Sequence, residues 1–520
     1  MVAVAGAQAA DMPVKAAPVQ YVKICSLYGD GFYYIPGTDI CLKVGGYVRG
    51  EVAYNFGNSM TNGPFNGTLN GAKDRVDGQD WLQRTRAYAW FDSRQQTEYG
   101  TLRSYLQIGV NYDNPQVTST NFNANRAFVQ FAGFTVGTAQ SFYDFFSGAA
   151  SSFWANAGLT SDTGDSGWKV FAYTAQYGNG FSATIEEPRS MATGGVTPNA
   201  GVMNTNLGNP LIGVVNPDND RAKVRFPDLV QNWRVDQAWG SAQLMIAAHD
   251  VSGGYYAANP GSLITAAGFT AAPCSGLTAG FLGAGTGTLV GSEACGHPAD
   301  KLGWAVGAGS RHNVGTSGDY FQWQANYTQG AVRYVAVTNA GAFSPVQFNG
   351  QNLGYGFFSD GVFSNATGEV QLTTAWGINA AYDHLWTPQL RTSLYGSYVR
   401  VEYGNNANLA ICNAQTTQNI PNTGFAQPGP AGTISFTGLQ VAQGACNNNF
   451  NWWNIGSRTQ YNFTPWFYVG FDVIYQKLET ASNSATVTWA SNTAKPTAFY
   501  QIQNQDNYGL RVRVHRDIVP

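Results

Sequence analysis

Five arginines share one side of the first four strand-like segments of this 520-residue chain: Arg49, Arg84, Arg86, Arg103 and Arg126. The third long connection, SFYDFFSGAASSFWANAGLTSDTGDSGW (141–168), carries Asp144, Asp162 and Asp165 and no lysine or arginine. This set makes neither a nucleophile nor an acid–base pair. If the connection folds back between the strands, guanidiniums on a wall face carboxylates on the loop, and a transverse field crosses a narrow passage. Such a field orients dipolar solutes. Arginine suits the wall because it stays charged when partly desolvated. The alternative is that some of these arginines pair with Glu51 or Asp92 and only brace the wall. Phe145, Phe146, Phe153 and Trp154 read as packing for the connection rather than as ligand contacts.

Other chemistries find less support. The five histidines (249, 297, 312, 384, 515) are scattered without ligand spacing, so no metal site is expected, and no cofactor. The G-x-S-x-G elbow of a hydrolase is missing, which argues against an enzyme. Glu186-Glu187 could hint at calcium, but reads better as a solvated rim. A net charge of -3 gives no sign of a nucleic-acid partner.

The elements that must position the arginines are strands. Charged residues are 11% of the chain, against about 25% in an ordinary soluble domain, yet mean hydropathy is -0.21. With 62 glycines and 14% aromatics, the composition suits pleated strands joined by loops. No apolar run approaches the roughly 20 residues of a spanning helix. In DICLKVGGYVRGEVAYNF (39–56), Leu42, Val44, Val48, Val52 and Tyr54 alternate with Lys43, Tyr47, Arg49 and Glu51. A period of two marks a strand with one apolar and one polar face. About sixteen such segments follow one another, the eighth read as RAKVRF (221–226) with a short link over 228–236. Short links alternate with long ones rich in Gly, Asn, Ser and Thr; AVRYVAVTNAG (330–340) reads as loop because only then is the alternation kept. Tyr54, Trp81, Trp376, Tyr382, Trp386, Trp453, Trp466 and Tyr508 fall near strand ends, as interfacial girdles require. The expected fold is all-β: a 16-stranded antiparallel transmembrane β-barrel with short periplasmic turns and long extracellular loops, apolar face to lipid and polar face to water.

Ala7-Gln8-Ala9 has the A-x-A form of a signal-peptidase site. Residues 1–9 then read as the tail of an export signal, 10–40 as an N-terminal periplasmic segment and 41–520 as the barrel. The six cysteines fall into sequence-local pairs: Cys25 with Cys41, Cys274 with Cys295, Cys412 with Cys446. Six cysteines permit 15 connectivities, of which neighbour pairing alone avoids crossing long distances. Disulfides in an oxidising compartment fit them best.

CSLYGDGFYYIPGTDICLKVGGYVRGEVAYN (25–55) resembles the opening of the alphaproteobacterial general porins, as do SRQQTEYGTLRSYL (93–106), RVDQAWGSAQ (234–243) and YDHLWTPQLRTSLYGSY (382–398). The resemblance implies a trimeric 16-stranded outer-membrane barrel, in contact with lipid and lipopolysaccharide, for passive diffusion of ions and small hydrophilic solutes. It also implies a third long loop folded into the lumen and a bridge between Cys25 and Cys41. A substrate-selective channel is the alternative; its aromatic ladder is not evident from Tyr47, Tyr105 and Tyr468. An outer-membrane hydrolase or a secreted β-rich adhesin are further options, the latter soluble without detergent.

Overall fold

The computed structural model describes residues 23–55, 70–73, 80–114, 121–146, 151–154, 167–176, 180–186, 201–204, 226–253, 298–336, 346–363, 369–416, 424–426, 433–436, 446–490 and 498–519. Sixteen long antiparallel strands form the barrel. The first seven are β1 (Cys41–Asn55), β2 (Trp81–Thr97), β3 (Gly100–Asn114), β4 (Asn121–Phe131), β5 (Phe134–Ala139), β6 (Trp168–Gln176) and β7 (Gly180–Glu186). Next come β8 (Asp228–Gln237), β9 (Gly240–Asp250), β10 (Leu302–Val314), β11 (Asp319–Gln329) and β12 (Thr374–Leu385). The last four are β13 (Leu390–Glu402), β14 (Phe450–Thr464), β15 (Phe467–Glu479) and β16 (Gln505–Val519). Each pairs with its sequence neighbours, and β16 returns to β1 in a register from Gly46↔Val519 to Asn55↔Gly509. The two-residue strand Tyr33–Tyr34 adds to the foot of β1.

The two faces separate as the alternation requires. Val48, Leu106, Phe171, Leu244, Ile378, Leu394, Phe471 and Val512 are exposed on the outside, Leu244 by 59%. Near the ends of β10 to β16 on the long-loop side, the outward rings Trp304–Tyr327, Trp376–Tyr398, Trp453–Tyr475 and Tyr475–Tyr508 touch at 4.9–5.5 Å between centroids. These form one girdle; Tyr382, Trp386, Phe463 and Trp466 are exposed at the short-turn side and form the other.

One strand departs from the expected set. The eighth is Asp228–Gln237, not 221–226, and the turn is Ala238-Trp239. Residues 221–225 lie outside those described. In β8 Gln231 sits on the outer face and Val230 on the inner, so the alternation is blurred, whereas RAKVRF alternates cleanly in sequence. Gly240 fixes the turn: its φ is +140°, and a Cβ there would lie 1.9 Å from the Arg311 carbonyl oxygen. Within 330–340 the described residues, 330–336, hold a 3₁₀ turn (Val332–Tyr334) and no strand; residues 337–340 lie outside those described.

The long connections carry structure of their own. Segments at 70–73, 346–349, 352–355, 424–426, 433–436, 486–490 and 498–502 form a second sheet, and 405–416 is a helix. Disulfides join Cys25 to Cys41, with Cα atoms 6.0 Å apart, and Cys412 to Cys446, 5.9 Å apart. Cys274 and Cys295 lie outside the described residues. The first bridge ties the N-terminal segment to the foot of β1; the second ties the helix to the chain entering β14.

Outward Leu244 sits mid-strand on β9, paired with Trp233 and Ala308. Leu244→Arg is expected to destabilise the barrel by roughly 2–4 kcal/mol if that position lies near the bilayer midplane. Urea titration of vesicle-inserted protein measures this; an unchanged midpoint would contradict the outside-to-lipid assignment.

Candidate pore constriction

Backbone polar groups outside regular structure must find partners, and those of the described residues in the connection after β5 find them across the lumen. Its first limb docks on β7 to β11. Glu186, at the end of β7, accepts the Ser141 hydroxyl (2.6 Å) and the Phe142 N–H (2.8 Å). Asn232 and Gln243 donate to the Phe142 carbonyl at 2.7 and 3.1 Å, and Gln324 accepts the Phe145 N–H at 3.1 Å. The Tyr143 ring meets Tyr334 edge-on at 4.4 Å. On the inner face of β10 a Cβ at Gly309 would lie 2.6 Å from Phe145, so glycine there is what lets the loop lie flat.

The second limb reaches the opposite wall. Asp472 on β15 accepts the Phe153 N–H (2.5 Å), the Ser152 hydroxyl (2.8 Å) and the Tyr395 hydroxyl (2.5 Å). Arg511 and Arg513 on β16 donate to the Phe153 carbonyl at 2.5 and 3.2 Å. Their guanidiniums lie 4.2 Å from the Trp154 and Phe153 ring centroids respectively. Phe145, Phe153 and Trp154 are buried and Phe146 is partly so, which bears out the packing role expected of them. The loop thus crosses the barrel interior from one wall to the other.

Beside this crossing lies a belt of cations. Register places Arg49 opposite Arg86, Glu51 opposite both Arg84 and Arg513, and Ala53 opposite Arg511. Glu51 is buried, bonded to Arg513 and 3.5 Å from Arg49. Arg84 makes a two-pronged bond to Asp113 at 2.6 and 2.8 Å, and Arg86 donates to Asn111. Five guanidiniums, those of Arg49, Arg84, Arg86, Arg511 and Arg513, therefore cluster around Glu51 and Asp113. Rings hold the cations in place: Arg49 stacks over Tyr47 and Arg86 over Tyr88, at 5.4 and 5.3 Å. What the arrangement can do is electrostatic: fixed charges, largely buried, on the inner wall beside the docked loop.

A family model described as the porin subfamily matches residues 11–510. The chain belongs to that family. A putative outer membrane protein, y4fJ of Sinorhizobium fredii, is 37% identical over 147 residues, 28% of this chain and 40% of its own. Porin Omp2a of Brucella ovis is 32% identical over 209 residues, 36% of this chain and 55% of its own. Porin Omp2b of Brucella suis is 29% identical over 262 residues, 48% of this chain and 64% of its own. The chain thus spans about half the length of these relatives. Its fold is similar to that of the outer membrane channel DcaP of Acinetobacter baumannii, with a TM-score of 0.54 at 11% identity over 93% of this chain and 99% of that one. At that identity the likeness is of fold alone. Family and closed barrel place this porin in the outer membrane as a multi-pass β-barrel.

The lumen of the porin divides the arginines picked from sequence. Arg49, Arg84 and Arg86 lie together. Arg103 is elsewhere: it faces Arg94, eight residues from Arg86 along β2, about 26 Å of strand. There Asp92 bridges Arg94 and Arg103 at 2.8–3.1 Å. Arg126 and Arg103 line a cavity of about 740 Å³ beneath the first limb of the loop. Asp144 is buried in that first limb and is part of the same cavity wall, away from the belt; Asp162 and Asp165 lie outside the described residues. Among the described residues, then, the carboxylates beside the cations come from the strands and not from the loop. Glu186 is no solvated rim either; it is buried and anchors the loop. Sequence reasoning missed Arg511, Arg513 and Asp472, which stand on the polar parity of the last two strands and were readable as such. Asp472→Asn should loosen the second limb by about 1–3 kcal/mol, since three donors lose an ionised acceptor. More frequent brief current interruptions in single-channel records are the expected sign; records matching the parent would show that Asp472 does not hold the loop.

Proposed function

We propose that this porin is a non-enzymatic, water-filled channel for passive diffusion of ions and small hydrophilic solutes, assembled as a homotrimer in contact with outer-membrane lipid and lipopolysaccharide. The observation that carries the reading is the loop after β5, bonded to both walls beside a belt of inward arginines. A closed barrel with an apolar skin and a charged interior supplies a hydrated path, and the loop narrows it where the field is strongest. A sugar-stacking track gains little support. Tyr105 and Phe128 are stacked at 5.2 Å with Arg103 over both, and Tyr468 is stacked on His515 at 4.7 Å, so these ring faces are already covered.

Planar-bilayer recording tests the proposal. Purified protein should insert in steps that close in three equal levels; absence of conductance above background would defeat it. Converting Arg84 and Arg86 to glutamine should move the reversal potential in a salt gradient toward cations. An unmoved potential would remove the belt from the selectivity region.

A further inference from the structure

On the long-loop half of β12 to β15 the inner wall turns apolar. Ala375, Val399, Val401, Phe450, Trp452 and Leu478 are almost wholly buried. Segments 332–336 and 348–363, with the start of the 405–416 helix, pack on them as a single hydrophobic cluster. The long connections therefore plug part of the extracellular mouth. Where the plug meets the opposite wall, an apolar patch that includes Val251 and Phe363 adjoins an ionic contact. His249 of β9 is fully buried between two carboxylates: its Nδ1 is 2.7 Å from Asp228 Oδ1 on β8, and its Nε2 is 3.5 Å from Asp360 Oδ2 on the plug. From the 3₁₀ turn the Tyr334 hydroxyl donates to Asp228 (2.7 Å), and the Val332 N–H donates to Asp360 (2.7 Å). Tyr403 donates instead to the Phe357 carbonyl, and Asp250 turns to Ser252.

Three buried ionisable groups are a costly way to make a plain contact, since an unpaired member of such a set is strongly destabilising. They are a direct way to make a contact that depends on protons. We propose that Asp228, His249 and Asp360 form a latch that seats the loop plug in the mouth and so sets the upper size of solutes admitted. The sign follows from the charges. An imidazolium between two carboxylates holds both; once it loses its proton that attraction is lost. Burial also raises the Asp360 carboxyl above its usual range, with His249 opposing. A group raised in the closed state supports that state at low pH and ceases to as pH rises through the raised value. Both effects loosen the latch as pH rises.

This latch rests on the diffusion reading, and the test separates the two. Vesicles containing the intact protein are assayed for swelling with neutral oligosaccharides of graded size, from about pH 6 to about pH 9. The smallest solute should enter at every pH, while the largest should be excluded at the acid end and admitted at the alkaline end. His249→Gln should admit the larger solutes throughout, with loss of the pH dependence. Asp360→Asn, which keeps a polar partner for Val332 but cannot titrate, should shift the transition. A size limit constant with pH in the wild type, with small solutes still entering, would overturn the latch alone. No entry of any solute would overturn the diffusion reading itself.

Discussion

The ladder between β1 and β16 is the contact on which everything else depends. In hydrocarbon an unpaired backbone N–H or C=O costs several kcal/mol, so a sheet in a membrane must have no edge. Closing it gives every strand one neighbour on each side and leaves each side chain a choice of two solvents. Outward Leu244, Leu394 and Phe471 face lipid; inward Glu51, Arg84 and Asp472 face the interior. The parity of a single strand is thus a statement about the whole cylinder.

Once the wall is closed and polar inside, a loop can fold inward without leaving its backbone unpaired. Glu186, Asn232, Gln243 and Gln324 satisfy one limb of the crossing loop, and Asp472, Arg511 and Arg513 the other. These inner-wall residues hold the constriction in place. Arg49, Arg84 and Arg86 have a different part. They are tied to Glu51, Asp113 and Asn111 from the strands, on the inner wall beside the docked loop. Arginine can serve both ends at once, with planar faces on rings and several N–H groups for acceptors.

Much of this was legible because it is local. The period of two, the alternation of short and long links, the pairs Cys25–Cys41 and Cys412–Cys446 and the aromatic character of the crossing loop all stand in short windows. Register is not local. Whether Arg511 and Arg513 stand beside Glu51 depends on how β16 slides on β1, and no window contains that, whereas the tight turn at Glu98-Tyr99 sets Arg94 opposite Arg103. The loop plug was missed for another reason. FNWWNI carries apolar residues on both parities, and YVRVEY puts its valines on the inward parity and Arg400 and Glu402 on the outward one, departures that mark an inner wall covered by protein. Val399, Val401 and Trp452 are that signal. The eighth strand failed in the same way, with Val230 inward beneath the loop and Gln231 outward.

The central claim, lipid outside and water within, is tested most directly by reactivity along one strand. Single cysteines placed at Leu106, Gln107 and Ile108 of β3, in protein reconstituted into vesicles, are exposed to a membrane-impermeant thiol reagent. The account predicts rapid modification at 107 and protection at 106 and 108. Modification at 106 and 108 with protection at 107 would contradict it.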